Sequence, residues 1–568
     1  MKARGRGFVP VSPEGGVARG GALNHIHWLA LITVLVNASA MLSPIIHSGD
    51  AVIYASIARH IAASNDWARL VLDGHDWLDK PHFPFWLTAL SFKLGGVSAL
   101  TYILPGFLFH LLGAYYTYRL AGMLYDRHTA MLAVLIYVST FSLMDSSIEI
   151  KAEAYLRAEI VGACYYWIRY DRQCRARYLF LGALYTGMAV MTKGIFALFT
   201  ISSGFVCLWV YQGQGSKLFS LKWLAALILS LLAAVPELLA LHVQFDQHAA
   251  GGTPPPHDSA LKFFFWDSQF GRFFNTGPIQ NHSGYPLYYV LVVIWAFLPW
   301  TLFLVAAVHR QYRNVAATGL SERAAFVFAG GMFACTFLLF SATKFQMAYY
   351  IDIILPFAAI LSANYLNQAT PKPFLFGAQV CVLALLASLV IGLSLYVRNT
   401  ALLATVAAMG IGLCCYVYAT RAAVRKVRLI HYSVLVINML YVFSILMTSV
   451  AFTRFSLASQ AAQIVGAQSA TPIYVYQMPE VARELSLYTK APTFELDAAE
   501  SVAGIRGRYY LIVRDEQARQ VQFAPAKFTQ VARMNLVVHK TGTLNKLLRL
   551  ARGTWPLESV DFLQHVTP

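Results

Sequence analysis

Charged residues are scarce in this sequence: Asp, Glu, Lys and Arg make up 12% of its 568 residues, where a soluble domain carries about a quarter. With 58% of the residues hydrophobic, that shortage excludes a water-soluble globular fold for most of the chain. Acidic residues are the scarcer sign, 27 against 44 Lys and Arg, for a net charge of +17. No nucleic-acid partner is expected from this excess, because much of it lies in short breaks between apolar blocks, where it orients membrane helices. Cysteine is sparse and unevenly placed. Cys164, Cys174, Cys207, Cys335, Cys381, Cys414 and Cys415 fall in apolar blocks or in loops assigned to the cytosol, so no disulfide framework braces the C-terminal region. The first 24 residues are basic and Gly-rich, with no small-residue cleavage pattern behind a short apolar core, and read as a cytosolic tail. Repeats are absent, and the only biased run is a turn-forming Gly-Gly-Thr-Pro-Pro-Pro stretch at 251–256.

What the sequence has is apolar blocks of about 17 to 25 residues, the length that crosses a hydrocarbon core. They fall near 25–45, 101–123, 129–146, 154–169, 177–192, 195–212, 221–243, 286–308, 323–342, 346–366, 373–395, 400–420 and 431–450. This predicts an all-α polytopic membrane protein of about thirteen crossings. Counting from a cytosolic N-terminus places Arg127, the run Arg169–Arg177, Lys217, Arg310–Arg313, Lys372 and the run Arg421–Arg428 on the inner side, as the positive-inside rule requires. Counting 82–98 as a further crossing inverts every later loop. That segment and the amphipathic stretches at 51–63 and 66–73 therefore read as interfacial helices at the outer surface. After 470, runs of β-branched and aromatic residues at 473–476, 509–514 and 531–539 predict a small α/β domain. The organisation expected is a tail at 1–24, a transmembrane domain at 25–455 with outer loops 47–100, 147–153 and 244–285, and an outer soluble domain at 456–568.

Ionisable residues in or beside spans are costly and call for a reason. Most of the unexplained ones collect on the outer face: Asp50, Asp79, Lys80, Glu149, Lys151, Glu153, Lys193, Arg272, His282 and Lys344. A cluster of both signs at one interface is what an enzyme acting on a membrane-bound anionic substrate needs. Plainer readings stand beside this one. Asp50 also suits a helix terminus, Lys80 and Lys344 suit snorkelling to headgroups, and Glu149, Lys151 and Glu153 suit a solvated loop. A transporter calls for midplane charges and related halves, and the sequence shows neither.

At these residues the chain resembles the membrane glycosyltransferases of the GT-C class, a superfamily that includes protein O-mannosyltransferases and the bacterial lipid A aminoarabinose transferases. The resemblance covers about 25–365, and its pieces come in order. Asp50 stands after the first span with Tyr54 and Arg59 following, although Ala51 replaces the usual Glu. Lys80-Pro81-His82 stands for Lys-Pro-Pro, and Lys151-Ala-Glu153 carries Glu where the family commonly has Asp. Thr192-Lys193-Gly194 follows, and then Phe265-Trp-Asp267 through Arg272 and Phe273 to His282 and Tyr288-Tyr289. Ser341-Ala-Thr-Lys344 with Tyr349 and Tyr350 closes the set.

The resemblance implies a polyprenyl-phosphate (undecaprenyl) sugar donor and inverting transfer at the periplasmic face of a bacterial inner membrane. Lipid A or a related envelope molecule is the expected acceptor, with proteins and polysaccharides as alternatives and lipid-linked sugar transport as a remoter one. Lys80, Arg272, Lys344 and Tyr349 are the expected phosphate ligands. Asp50, Glu153 and Lys80 are the expected catalytic groups. Tyr54, Arg59, His82, Lys151, Lys193 and Tyr350 are expected to contact substrate. The resemblance also implies a zinc ion, with His282 as its nearest ligand. A monomer among membrane lipids is expected.

Overall fold

The computed structural model describes residues 20–42, 46, 50–148, 151–246, 259–277, 280–281, 284–313, 319–466, 470–498, 501–502, 504–520, 528–536, 549, 552 and 558–565. Glu149 and His282 lie outside them, as does the turn-forming stretch at 251–256. Among the described residues the chain is mainly helical up to residue 465. Helix α1 (Gly20–Ala38) leads to α2 (Asp50–Ser64), a two-stranded hairpin of β1 (Val71–Leu72) and β2 (His75–Asp76), and α3 (Phe83–Gly95). Then come α4 (Ala99–Leu124), α5 (Arg127–Val138), α6 (Phe141–Asp145), α7 (Ala152–Gln173), α8 (Ala176–Lys193), α9 (Phe196–Tyr211), α10 (Leu221–Ala233) and α11 (Val235–Leu241). Later helices are given by their residues. Caps written in the sequence start several of them. Ser98 and Thr101 form a capping box on α4, and the Asp126 side chain caps α5.

Among the described residues seven helices are long and apolar enough to cross a membrane, and nine spans result if each of two bent pairs counts as one. The predicted span 286–308 is such a pair: Tyr288–Ala296 and Thr301–Arg313 meet at 113°. Pro299 stands at that break, where a missing N–H interrupts the helical ladder. The Leu298 carbonyl instead accepts from the N–H of Phe141. Helix α7, also predicted to span, carries too many charged side chains to count among the spanning helices. Protein surrounds it, with Glu153, Arg157 and Glu159 all buried, so it needs no apolar outer surface. Helix α3 has 13 residues, roughly 20 Å, too short to cross and consistent with an interfacial position.

The C-terminal region is a mixed five-stranded sheet in the order β4-β3-β5-β7-β6. Its strands are β3 (Ile473–Tyr476), β4 (Thr493–Leu496), β5 (Tyr509–Arg514), β6 (Phe528–Leu536) and β7 (Glu558–His565). The parallel pair β3 and β4 needs a crossover, which helix Pro479–Tyr488 supplies. One face of that helix reaches the membrane part. The Tyr488 hydroxyl accepts from the Ile46 N–H (2.9 Å) and donates to the Ile46 carbonyl (3.4 Å). Arg483 pairs with Asp73 (2.9 Å), and Leu487 is buried in the apolar cluster under α2 and α3.

Candidate active site

Asp79 and Lys80 are held in place because one helix ties down the segment between α2 and α3 at two points. Glu237 in α11 accepts from the backbone N–H of His82 (2.9 Å) and faces its Nδ1 (3.0 Å), while His82 Nε2 lies 3.1 Å from the Ala68 carbonyl. Two turns on, the Gln244 amide donates to the Leu70 carbonyl (2.8 Å) and accepts from the Leu70 N–H (3.1 Å). Between these anchors Asp79 forms ion pairs with Lys80 and Arg272, and Arg272 also donates to the Asp79 carbonyl (2.9 Å).

Asp79, Lys80 and Arg272 line a cavity of roughly 980 Å³, a volume that counts the solvent at its open mouth. Its other walls are mostly apolar, with Phe196, Leu241, Phe263, Phe264 and Phe340 among them. Burial pushes the Lys80 ammonium down to about 8; the neighbouring Arg272 cation acts in the same direction, and Asp79 offsets part of the shift. Burial alone would raise the Asp79 carboxyl, but Lys80 and Arg272 outweigh it and hold Asp79 below the usual carboxylate range.

A second cluster meets the first. Glu153, almost fully buried at the start of α7, pairs with Lys193 at 2.5 Å. The Lys193 ammonium lies 4.0 Å from the Tyr350 ring centroid and 5.9 Å from that of Tyr349, over which Lys151 also sits at 4.8 Å. Both cation–π contacts and the carboxylate keep the Lys193 charge in a place short of water. Gly194 ends α8 with φ at +95°, and a Cβ there would meet the Gln269 amide nitrogen at 2.2 Å. That amide donates to the Lys193 carbonyl (3.3 Å), so the Thr-Lys-Gly signature has a steric reason.

The structure thus brings Lys80, Glu153, Lys193, Arg272 and Tyr350 onto one cavity, and Tyr54 joins Lys80 on a small adjoining one. Asp50 is the exposed first residue of α2, one turn before Tyr54. Its charge adds to burial in raising the Tyr54 phenol well above its ordinary value, and its place one turn before Tyr54 puts it at the rim of the smaller cavity that Tyr54 lines. Three expectations fare otherwise. His82 is fully buried and engaged at both ring nitrogens, so it braces the loop instead of facing substrate. Lys344 is exposed and lines neither cavity; its backbone is pinned to Phe273 and Gly284. Arg59, half-buried on α2, lines neither cavity either. Among the described residues no three His, Cys, Asp or Glu side chains converge as a metal site, so no zinc ligand set is found there.

Sequence reasoning passed over several residues. Asp79 has no role in the sequence reading, yet it pairs with both Lys80 and Arg272. Arg157, Glu159 and Asp352 lay inside predicted spans, where charge is itself the signal. Arg157 donates to Ser146 (2.6 Å), faces His110 Nδ1 (3.1 Å) and stands 4.0 Å from Asp352, which accepts from Ser142 (2.5 Å). This buried network joins α4, α6 and α7 to the turn that carries Tyr349 and Tyr350.

Comparison with known proteins agrees with this geometry. Residues 79–239 match the family described as dolichyl-phosphate-mannose-protein mannosyltransferase. The undecaprenyl phosphate-alpha-4-amino-4-deoxy-L-arabinose arabinosyl transferase 2 of Proteus mirabilis is 27% identical over 59% of this chain and 58% of its own length. The corresponding transferase of Edwardsiella ictaluri is 27% identical over 60% and 59%. The chain thus spans a little under three fifths of the length of these relatives. In solved structures, ArnT from Cupriavidus metallidurans bound to undecaprenyl phosphate superposes with a TM-score of 0.70 at 17% identity, covering 95% of this chain and 98% of that one. Its apo state gives 0.68 at 16% identity over 96% and 98%. The chain therefore has the ArnT fold, that of a multi-pass membrane protein with a C-terminal sheet domain, and is related to the GT-C polyprenyl-phosphate glycosyltransferases.

Proposed function

We propose that this chain is an inverting glycosyltransferase that moves a sugar, 4-amino-4-deoxy-L-arabinose or a close relative, from undecaprenyl phosphate to lipid A at the periplasmic face of the inner membrane. The observation that carries this reading is the cavity itself, an apolar chamber that ends in Lys80 and Arg272 with a carboxylate between them. A prenyl chain suits the apolar walls, and its phosphate suits the cations.

In the reaction an acceptor oxygen attacks the anomeric carbon from the face opposite the phosphate. The carbon–oxygen bond to phosphate breaks and the electron pair leaves with the lipid. The leaving phosphate gains negative charge, which Lys80 and Arg272 stabilise in a site poor in water. A phosphate acceptor is already anionic and needs no base. A hydroxyl acceptor does, and Asp50 at the rim is then the base. Glu153, tied to Lys193, is placed for contacts with sugar or acceptor. The two names among the relatives favour an amino sugar, and the matched family's description keeps a protein acceptor in view.

The test is mass spectrometry of lipid A from cells with and without the gene, alongside Lys80→Ala and Asp50→Asn variants of confirmed membrane level. The expected result is a sugar-sized mass lost in the deletion and in Lys80→Ala. Unchanged lipid A, with the polyprenyl-phosphate sugar accumulating, would move the acceptor to protein or polysaccharide. No change in either pool would sink the transferase reading.

A further inference from the structure

We propose that the end of the membrane domain opposite the cavity carries a binding site for the phosphate of an anionic phospholipid, built from Arg119, Arg169 and Arg177 and locked by Tyr165 and Tyr178. The three arginines come from α4, α7 and α8. Arg119 donates to the hydroxyls of Tyr115 and Tyr165, the latter at 2.5 Å, and Arg169 donates to the same Tyr165 oxygen at 2.7 Å. Arg169 also lies 4.5 Å from the Tyr178 ring centroid. Arg177 lies 4.7 Å from it and donates to its hydroxyl at 2.7 Å. Two tyrosines therefore hold three guanidinium groups in one ladder.

That arrangement needs an explanation, because clustered like charges repel. Among the described residues none of the three arginines has a carboxylate partner, and the nearby Asp171 is taken by Lys217 and Lys222. An orienting excess of inner-side cations requires only that Lys and Arg be more numerous on that side. It does not require guanidinium groups from three helices to share acceptors. The Tyr165 oxygen, already accepting two N–H bonds, has its own hydrogen left to donate. Guanidinium forks and a free phenol proton together match the oxygens of a phosphodiester.

Position favours a lipid as the source of that phosphate. From Glu153 at the cavity to Arg169 is sixteen residues of α7, roughly 24 Å along its axis, close to the thickness of a hydrocarbon core. The ladder thus sits at the far headgroup level, where tyrosines gather and basic pockets between helices take lipid headgroups. Tyr115 and Phe180, 47% and 60% exposed, flank it with apolar surface for acyl chains.

The experiment is native mass spectrometry of the full chain with dioleoyl phosphatidylglycerol, dioleoyl phosphatidylcholine or inorganic phosphate as probe, comparing wild type with R119Q/R169Q/R177Q and with Tyr165→Phe. The wild type is expected to hold phosphatidylglycerol in preference to phosphatidylcholine. At roughly fivefold per cationic side chain the triple variant should lose most of that preference. Tyr165→Phe keeps all three charges and should lose severalfold, so it decides the matter if the triple variant does not fold. Equal phosphatidylglycerol retention by wild type and variants overturns the site. Displacement of phosphatidylglycerol by equimolar inorganic phosphate overturns the lipid assignment.

Discussion

Lys80 sets how the site should respond to pH. Its ammonium titrates near 8, and only the charged form attracts phosphate. Affinity for undecaprenyl phosphate should therefore be full below about pH 7 and fall as pH rises through 8, approaching tenfold per unit above it. Lys80→Arg, charged throughout, should give a flat profile; equal slopes in both proteins, measured by lipid titration between pH 6.5 and 9.5, would remove Lys80 from the phosphate. His82 was expected to touch substrate and instead braces Glu237. His82→Ala should lower stability by about 1–3 kcal/mol, the cost of leaving buried polar groups short of partners, and thermal unfolding in detergent checks it. Undecaprenyl phosphate affinity in the folded fraction should fall less than in Lys80→Ala, because the backbone N–H bond of His82 to Glu237 and the Gln244 anchor remain. The sequence showed Lys80 through its place in an ordered set of motifs. It could not show that His82 turns inward, because that depends on Glu237, 155 residues away in the chain.

Among the elements, the helix Pro479–Tyr488 has reach beyond its own domain. Arg483, Leu487 and Tyr488 meet Asp73, the α2–α3 core and Ile46. Their contacts bracket α2, whose first residue is Asp50. Combining Arg483→Ala with Tyr488→Phe should speed amide exchange across 50–64 and lower kcat more than it raises KM for the donor lipid. Exchange unchanged in that segment would show that the helix merely rests there. Strands β3 and β5 were legible to the residue from their β-branched runs. The same periodicity could not reveal this docking, since Tyr488 and Arg483 look like any exposed face of an amphipathic helix. The break within 286–308 was marked by Pro299, but an apolar run of spanning length masked it. The apolar block at 154–169 marked helix α7, though its charged side chains keep it off the helices apolar enough to cross a membrane.

For the whole molecule, orientation decides what the cavity can meet. Cys174 is exposed and unpaired in the turn between α7 and α8, at the end opposite Glu153. In a variant with the other six cysteines replaced, a membrane-impermeant maleimide should label Cys174 only after the inner membrane is opened. Labelling in intact spheroplasts would turn the protein over and place the cavity in the cytosol. The tie between Ile46 and Tyr488 joins residues 442 positions apart. At ribosomal speeds that stretch takes roughly twenty to ninety seconds to make. The rim of the cavity is therefore finished last, by a domain synthesised after every span is in place. A stalled or truncated chain would hold the chamber without the Ile46–Tyr488 tie.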